Sequence, residues 1–302
     1  MLRLITCIAS LLIVASNPTP ALAQLNVFSC EPEWAALVTE LAGDRVAVYS
    51  ATTAQQDPHH IEARPSLIAR ARNADLLICS GADLEAGWLP LLLRQSGNKR
   101  IQPGQAGHFE AASFVERLGV PQTLDRAQGD LHAAGNPHVH LDPRRIEQIA
   151  KQLHTRLQQL DPAGQAYYQQ RHDNFRQRWQ QAMQRWQQQA KPLQGAKVVV
   201  HHKDWVYLFD WLNINIIGAL EPKPGLPTTA GHLTSLKQQL EKSPAHMIVH
   251  AAYQDNRAAK RLAELTNIPV VELPYTVGGN DKASDLFGLF DDTLQRMLRA
   301  GK

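Results

Sequence analysis

The chain reads as two α/β halves joined by one long helix. Three observations predict that class. Short apolar, strand-like segments alternate with helix-like segments between residues 25 and 79, the pattern of a parallel sheet. The same alternation resumes after Gly195 and runs to Arg299. Between them, residues 142–193 are rich in Gln and Arg, poor in Gly and broken mainly at Asp161-Pro162. A length of 302 residues fits two domains, each able to bury a sizeable core.

Each element follows from local pattern. Residues 25–30 are strand-like, and residues 32–41 are helical with Trp34, Leu37, Val38 and Leu41 on one face. Gly43-Asp44 makes a turn before a strand at 45–50. A polar loop at 51–58 leads to a helix at 65–72 and a strand at 76–79. Residues 162–189 carry no breaker beyond Gly164. Tyr167, Tyr168, Phe175, Trp179, Met183 and Trp186 recur there at helical spacing. That predicts one long helix with a narrow apolar stripe rather than a Gln-rich linker. The second half places strands at 197–201, 214–220, 245–250 and 269–273. Helices at 205–212, 233–241, 255–266 and 284–299 alternate with them, and 221–229 is a Pro/Gly-rich loop. The expected organisation is a leader at 1–23, an N-terminal lobe at 24–150, a connecting helical segment at 151–193 and a C-terminal lobe at 194–302.

Arg3, the apolar run from Leu4 to Ala15 and the small-x-small Ala21-Leu22-Ala23 predict a cleavable export signal, cut near Ala23. The run is too short for a bilayer span. Cys7 lies inside it rather than at its end, so no lipid anchor is expected. Two cysteines remain, Cys30 and Cys79, each ending a strand-like segment. Exported pairs are often bridged, and two separate buried thiols fit the sequence equally well.

Lys and Arg number 31 against 28 Asp and Glu, for a net charge of +3. The basic residues are scattered and no aromatic platform is interleaved with them, which excludes a nucleic-acid stripe. Three histidine stretches stand out: Asp57-Pro58-His59-His60, Asn136-Pro137-His138-Val139-His140 and His201-His202-Lys203-Asp204. Each sits on a short loop between apolar segments. Adjacent histidines diverge, so one of each pair is the better ligand. Three imidazoles meeting between the halves would make a nitrogen-rich site suited to zinc. No H-E-x-x-H helix is present, which argues against a zincin protease.

These stretches resemble the solute-binding proteins of zinc/manganese ABC importers (cluster A-I). Asp57-Pro58-His59-His60-Ile61-Glu62-Ala63-Arg64-Pro65-Ser66 is similar to that family's D-P-H-x-[aromatic]-E-x-x-P-S segment. Asn136-Pro137-His138-Val139-His140-Leu141-Asp142-Pro143 is similar to D-P-H-V-W-L-D-P. Residues 198–207, with His202 and Tyr207, are similar to its strand-H-D-x-[aromatic]-x-Y segment. The resemblance covers the whole mature chain. It implies two lobes, each a four-stranded parallel sheet flanked by helices, joined by one rigid helix with the metal in the cleft. It implies His59, His138 and His202 as ligands. It further implies non-enzymatic, high-affinity capture of Zn²⁺ as cargo in the periplasm, by a monomer that delivers it to an inner-membrane ABC permease. A periplasmic zinc chaperone is a further candidate partner. Manganese binders often carry Glu where His202 stands, so zinc is favoured. An Mn(II) or Fe(II) binder of the same class is the alternative. A zinc hydrolase is the other, although no general base is identifiable.

Two departures stand out. The family's fourth ligand, an aspartate after the last strand, is missing from Leu273-Pro274-Tyr275-Thr276-Val277-Gly278-Gly279-Asn280. Glu272, Asp281, Asp285 or water are the candidates left, and Asp285 also reads as a helix cap. The long His/Asp-rich loop of many zinc members is reduced to residues 129–135, where His132 offers only outer contacts. Glu62 and Asp204 are either partners of ligand imidazoles or plain surface acids.

Overall fold

The computed structural model describes residues 24–121 and 132–301. The leader at 1–23, with Cys7, lies outside the described residues.

Both halves form parallel sheets for the same reason. Their strands are nearly continuous apolar runs, which only a sheet covered on both faces can bury. In the first half β1 (Leu25–Ser29), β2 (Val46–Ser50), β3 (Leu76–Cys79) and β4 (His108–Glu110) align in the order β2-β1-β3-β4. In the second, β5 (Lys197–Val200), β6 (Asn215–Ala219), β7 (Met247–Ala251) and β8 (Val270–Leu273) align as β6-β5-β7-β8. Every pairing is parallel. This matches the two-sheet expectation. β4 was not legible, because three residues carry no readable alternation.

Alternation along each strand divides the core. Val27, Leu76 and Ile78 face inward, as do Val198, Val200, Met247 and Val249. Phe28, Leu77 and Cys79 face outward onto α2 (Pro65–Arg72) and α3 (Leu89–Ser96). Val199 and Ile248 face outward onto α7 (Ala230–Lys242) and α8 (Arg257–Thr266). The inward faces of both sheets belong to one continuous core. It is filled by α1 (Pro32–Ala42), α4 (Pro143–Leu160), α5 (Gln165–Gln189), α6 (Val206–Leu212) and α9 (Leu286–Ala300).

α5 is the long helix between the lobes. It starts after a 3-10 turn at Pro162–Gly164, and its 25 residues run ~37 Å at 1.5 Å each. Tyr168, Phe175, Trp179 and Trp186 are its buried stripe, whereas Tyr167 and Met183 are half-buried. Trp179 stacks on Phe175 and meets Phe287 and Phe290 of α9 edge-on. The two indoles are satisfied as well: Trp179 Nε1 donates to Pro143 O at 2.8 Å and Trp186 Nε1 to Asp291 Oδ1 at 2.6 Å. Residue 151 lies inside α4, which packs against α5. Among the described residues, no helix is long and apolar enough to cross a membrane.

Candidate metal centre

In an open parallel sheet, ligands gather beyond the carboxyl ends of the strands. The loops after β2, β4 and β5 each bring one histidine into the cleft between the lobes.

His59 sits in a turn that folds on its own aspartate. Asp57 Oδ1 accepts from His59 N at 3.0 Å and pairs with His59 Nδ1 at 2.7 Å. Trp88 Nε1 donates to Pro58 O and fixes the loop on the lobe. Burial works against the Asp57 charge, but its bonds to His59 outweigh it and hold the carboxyl below its ordinary value. His60 is solvent-exposed.

His138 is fully buried just before a 3-10 turn at Val139–Leu141, with its backbone N–H capped by Asn136 Oδ1. Its Nδ1 is 2.7 Å from the Tyr275 hydroxyl. Burial first, then the surrounding imidazoles of His59, His202, His140 and His132, drive its pKa well below the ordinary value. The ring is therefore neutral, the form that coordinates a metal. His140 points elsewhere: its Nε2 faces Tyr275 O at 3.0 Å and its Nδ1 faces Glu33 Oε1 at 3.2 Å.

His202 follows β5. Its Nδ1 is 2.6 Å from Glu221 Oε2, at the end of the β6 loop. Burial opposes a charge on His202, but Asp204, Glu221 and Asp57 outweigh it and push its pKa up to about 9. His201 stays on the wall, 3.9 Å from Glu221 Oε1.

The three rings gather with centroids 5.5 Å apart for His59–His138, 5.8 Å for His59–His202 and 6.1 Å for His138–His202. In each ring a neighbour engages Nδ1, and the ligand atoms that lie within 4.8 Å of one another form two sets that share His138, one with His59 and His132 and one with His202 and Asp204. Such anchoring of the far nitrogen fixes tautomer and orientation. A cleft of about 280 Å³ reaches the group past Asp57, Tyr253 and Gln254.

Two further residues lie close. His132 Nε2 is 3.3 Å from His59 Nε2, nearer than the outer contact its sequence position suggested. Asp204, read as either an imidazole partner or a surface acid, is fully buried; Oδ1 lies 3.4 Å from His138 Nε2 and 3.9 Å from His202 Nε2. The Lys203–Trp205 3-10 turn aims it inward, and no local pattern signals that. Glu62, Glu272 and Asp281 are exposed, and Asp285 caps α9 by accepting from Gly288 N at 2.7 Å. Where the acid was expected, Tyr275 backs His138 instead.

Behind the cleft, a disulfide joins Cys30 and Cys79 across the carboxyl ends of β1 and β3, with Cα atoms 4.8 Å apart. Beside it lie the buried carboxyls of Glu31 and Glu85. Glu85 Oε1 accepts from Ser80 N at 2.8 Å and Oε2 from Gly81 N at 3.1 Å. These bonds hold a turn in which Gly81, Ala82 and Asp83 all have positive φ, a conformation costly for the two non-glycine residues. Burial raises both carboxyls, Glu85 to about 7 and Glu31 well above the ordinary range.

Comparison with known proteins gives one consistent answer. Residues 27–300 match the family model described as zinc-uptake complex component A, periplasmic. The manganese ABC transporter substrate-binding lipoprotein ScaA of Streptococcus gordonii is 21% identical over 275 residues, 89% of this chain and 86% of that protein. The high-affinity zinc uptake system protein ZnuA of Yersinia pestis is 23% identical over 209 residues, 62% of this chain and 63% of that protein. A crystal structure of ZnuA shares the fold at a TM-score of 0.74, with 21% identity, covering 90% of this chain and 99% of that one.

Proposed function

Because the chain belongs to the zinc-uptake complex component A family, the metal-binding components of ABC importers, we propose that its cargo is Zn²⁺. The ligands we propose are His59, His138 and His202. One observation carries this reading: the three imidazoles converge with their Nδ1 atoms held by Asp57, Tyr275 and Glu221. A site dominated by imidazole nitrogen suits zinc better than manganese, which prefers carboxylate and water. The manganese name of the S. gordonii relative makes Mn²⁺ the competitor to exclude.

The protein acts by capture and hand-over, without turnover. We place it in the periplasm as a monomer serving an inner-membrane permease, with a zinc chaperone as a further partner. The S. gordonii relative is named a lipoprotein. For this chain we propose instead a leader cut near Ala23 and no lipid, since Cys7 lies within the apolar run. Intact mass of the exported protein checks both points. We also propose lobes at 24–150 and 194–302 with 151–193 connecting them.

Equilibrium titration of the metal-free protein tests the main reading. One Zn²⁺ binds per chain, in preference to Mn²⁺, and His59→Ala and His138→Ala each weaken it severely. Undiminished binding in both variants refutes the ligand set; preference for Mn²⁺ refutes the cargo.

A further inference from the structure

Three histidines leave one corner of a tetrahedral ion open. We propose that Asp204 fills it through Oδ1, an inference that rests on the three-histidine reading above. Four observations support it.

Oδ1 is buried and makes no hydrogen bond, and neither does His138 Nε2, 3.4 Å away. A buried polar atom left without a partner is destabilising. A cation between them satisfies both. The spacing also fits: two donors at ~2.0–2.1 Å from a tetrahedral ion stand ~3.3–3.4 Å apart. The other oxygen is clamped, since Gln254 Nε2 donates to Asp204 Oδ2 at 2.8 Å while Gln254 Oε1 accepts from Ala251 N at 2.8 Å. That clamp comes from the end of β7, so the carboxylate is held from an element other than its own. Finally, one carboxylate halves the formal charge that the buried ion brings, with His202 giving up its proton as the metal enters.

Two other donors compete for the corner. Glu221 accepts from His202 Nδ1 and, at 3.0 Å, from Gly225 N through Oε2, on the side of the His202 ring away from Nε2, and its Oε1 stands 3.9 Å from His201. His132 Nε2 stands at the same spacing, 3.3 Å from His59 Nε2, but its side chain is only half-buried. Asp204 Oδ1 alone of the three is buried with no hydrogen-bond partner.

The test uses the whole mature chain with Co²⁺ and Zn²⁺ as probes. In Asp204→Cys, a thiolate that reaches the metal gives a near-ultraviolet sulfur-to-Co²⁺ charge-transfer band, and Glu221→Cys gives none. In Asp204→Asn, zinc affinity falls by more than the ~10–100-fold typical of losing an outer partner. Circular dichroism confirms that the variants fold. A Co²⁺-loaded Asp204→Cys protein without the band, or an Asp204→Asn protein that holds zinc as the parent does, overturns the assignment. So does a band in Glu221→Cys. If instead the parent chain takes up no zinc, or His59→Ala and His138→Ala retain it, the three-histidine reading fails first.

Discussion

Replacing Glu85 by Gln removes a carboxyl whose pKa in the folded protein is pushed from 4.5 up to about 7. Burial is the main cause, and the bonds from Glu31, Ser80 N and Gly81 N offset only part of it. In the unfolded chain the same carboxyl titrates near 4.5. Between those values the folded protein keeps a proton that the unfolded chain has released. The folded state binds more protons, so stability falls as pH rises through the window and levels off above about 7. A carboxyl moved from 4.5 to about 7 corresponds to about 3 kcal/mol across it. Gln keeps an oxygen for Ser80 N and loses the bond from Gly81 N, a cost that is the same at every pH and so leaves the pH dependence as the readout. Urea unfolding of the metal-free protein between about pH 5 and pH 8 is the assay. The parent loses up to about 3 kcal/mol more than Glu85→Gln over that range. The same pH dependence in both proteins refutes the reasoning.

Two further outcomes follow from the site and its support. Zinc at 1,000 times its dissociation constant adds about 4 kcal/mol, which raises Tm by ~8–16 °C for a chain of this size. Thermal scans with and without a chelator read that rise, and His59→Ala shows a much smaller one. Removing the bridge in Cys30→Ala/Cys79→Ala frees a loop with a sequence separation of 49 and costs about 4 kcal/mol by chain entropy. A urea midpoint unchanged under oxidising conditions would contradict it.

The second lobe was the more legible half, because its strands are short apolar runs bounded by Gly, Pro and Asn. Expected strands at 214–220 and 269–273 match β6 and β8 within two residues. The stretch from 80 to 135 carried no usable period, and β4 and α3 went unread there. Picking His138 over His140 needed the resemblance. In the structure Glu33, from α1, faces His140 Nδ1 at 3.2 Å, while the His138 ring stands beside those of His59 and His202. Asp204 was beyond reach of local pattern. Its burial depends on Gln254, 50 residues downstream, and sequence spacing carries no trace of that pairing. The bridge between Cys30 and Cys79 was equally undecidable, since it depends on β1 and β3 being neighbours.

The core shared by both sheets limits how the protein can move. Binding proteins with separately packed lobes swing about a hinge when cargo enters. Here Trp34 of the first lobe, Trp179 of α5 and Phe290 of the second lie in one hydrophobic mass. Swinging the lobes apart would expose that mass to water, at a cost of roughly 1.5–3 kcal/mol for each large side chain uncovered. The two sheets are thus one cooperative unit, and they melt together rather than in sequence. On the ligand set proposed above, metal exchange falls to the loops that carry His59, His132 and Glu221. A permease that empties the cleft works on those loops, while the frame behind them stays as it was.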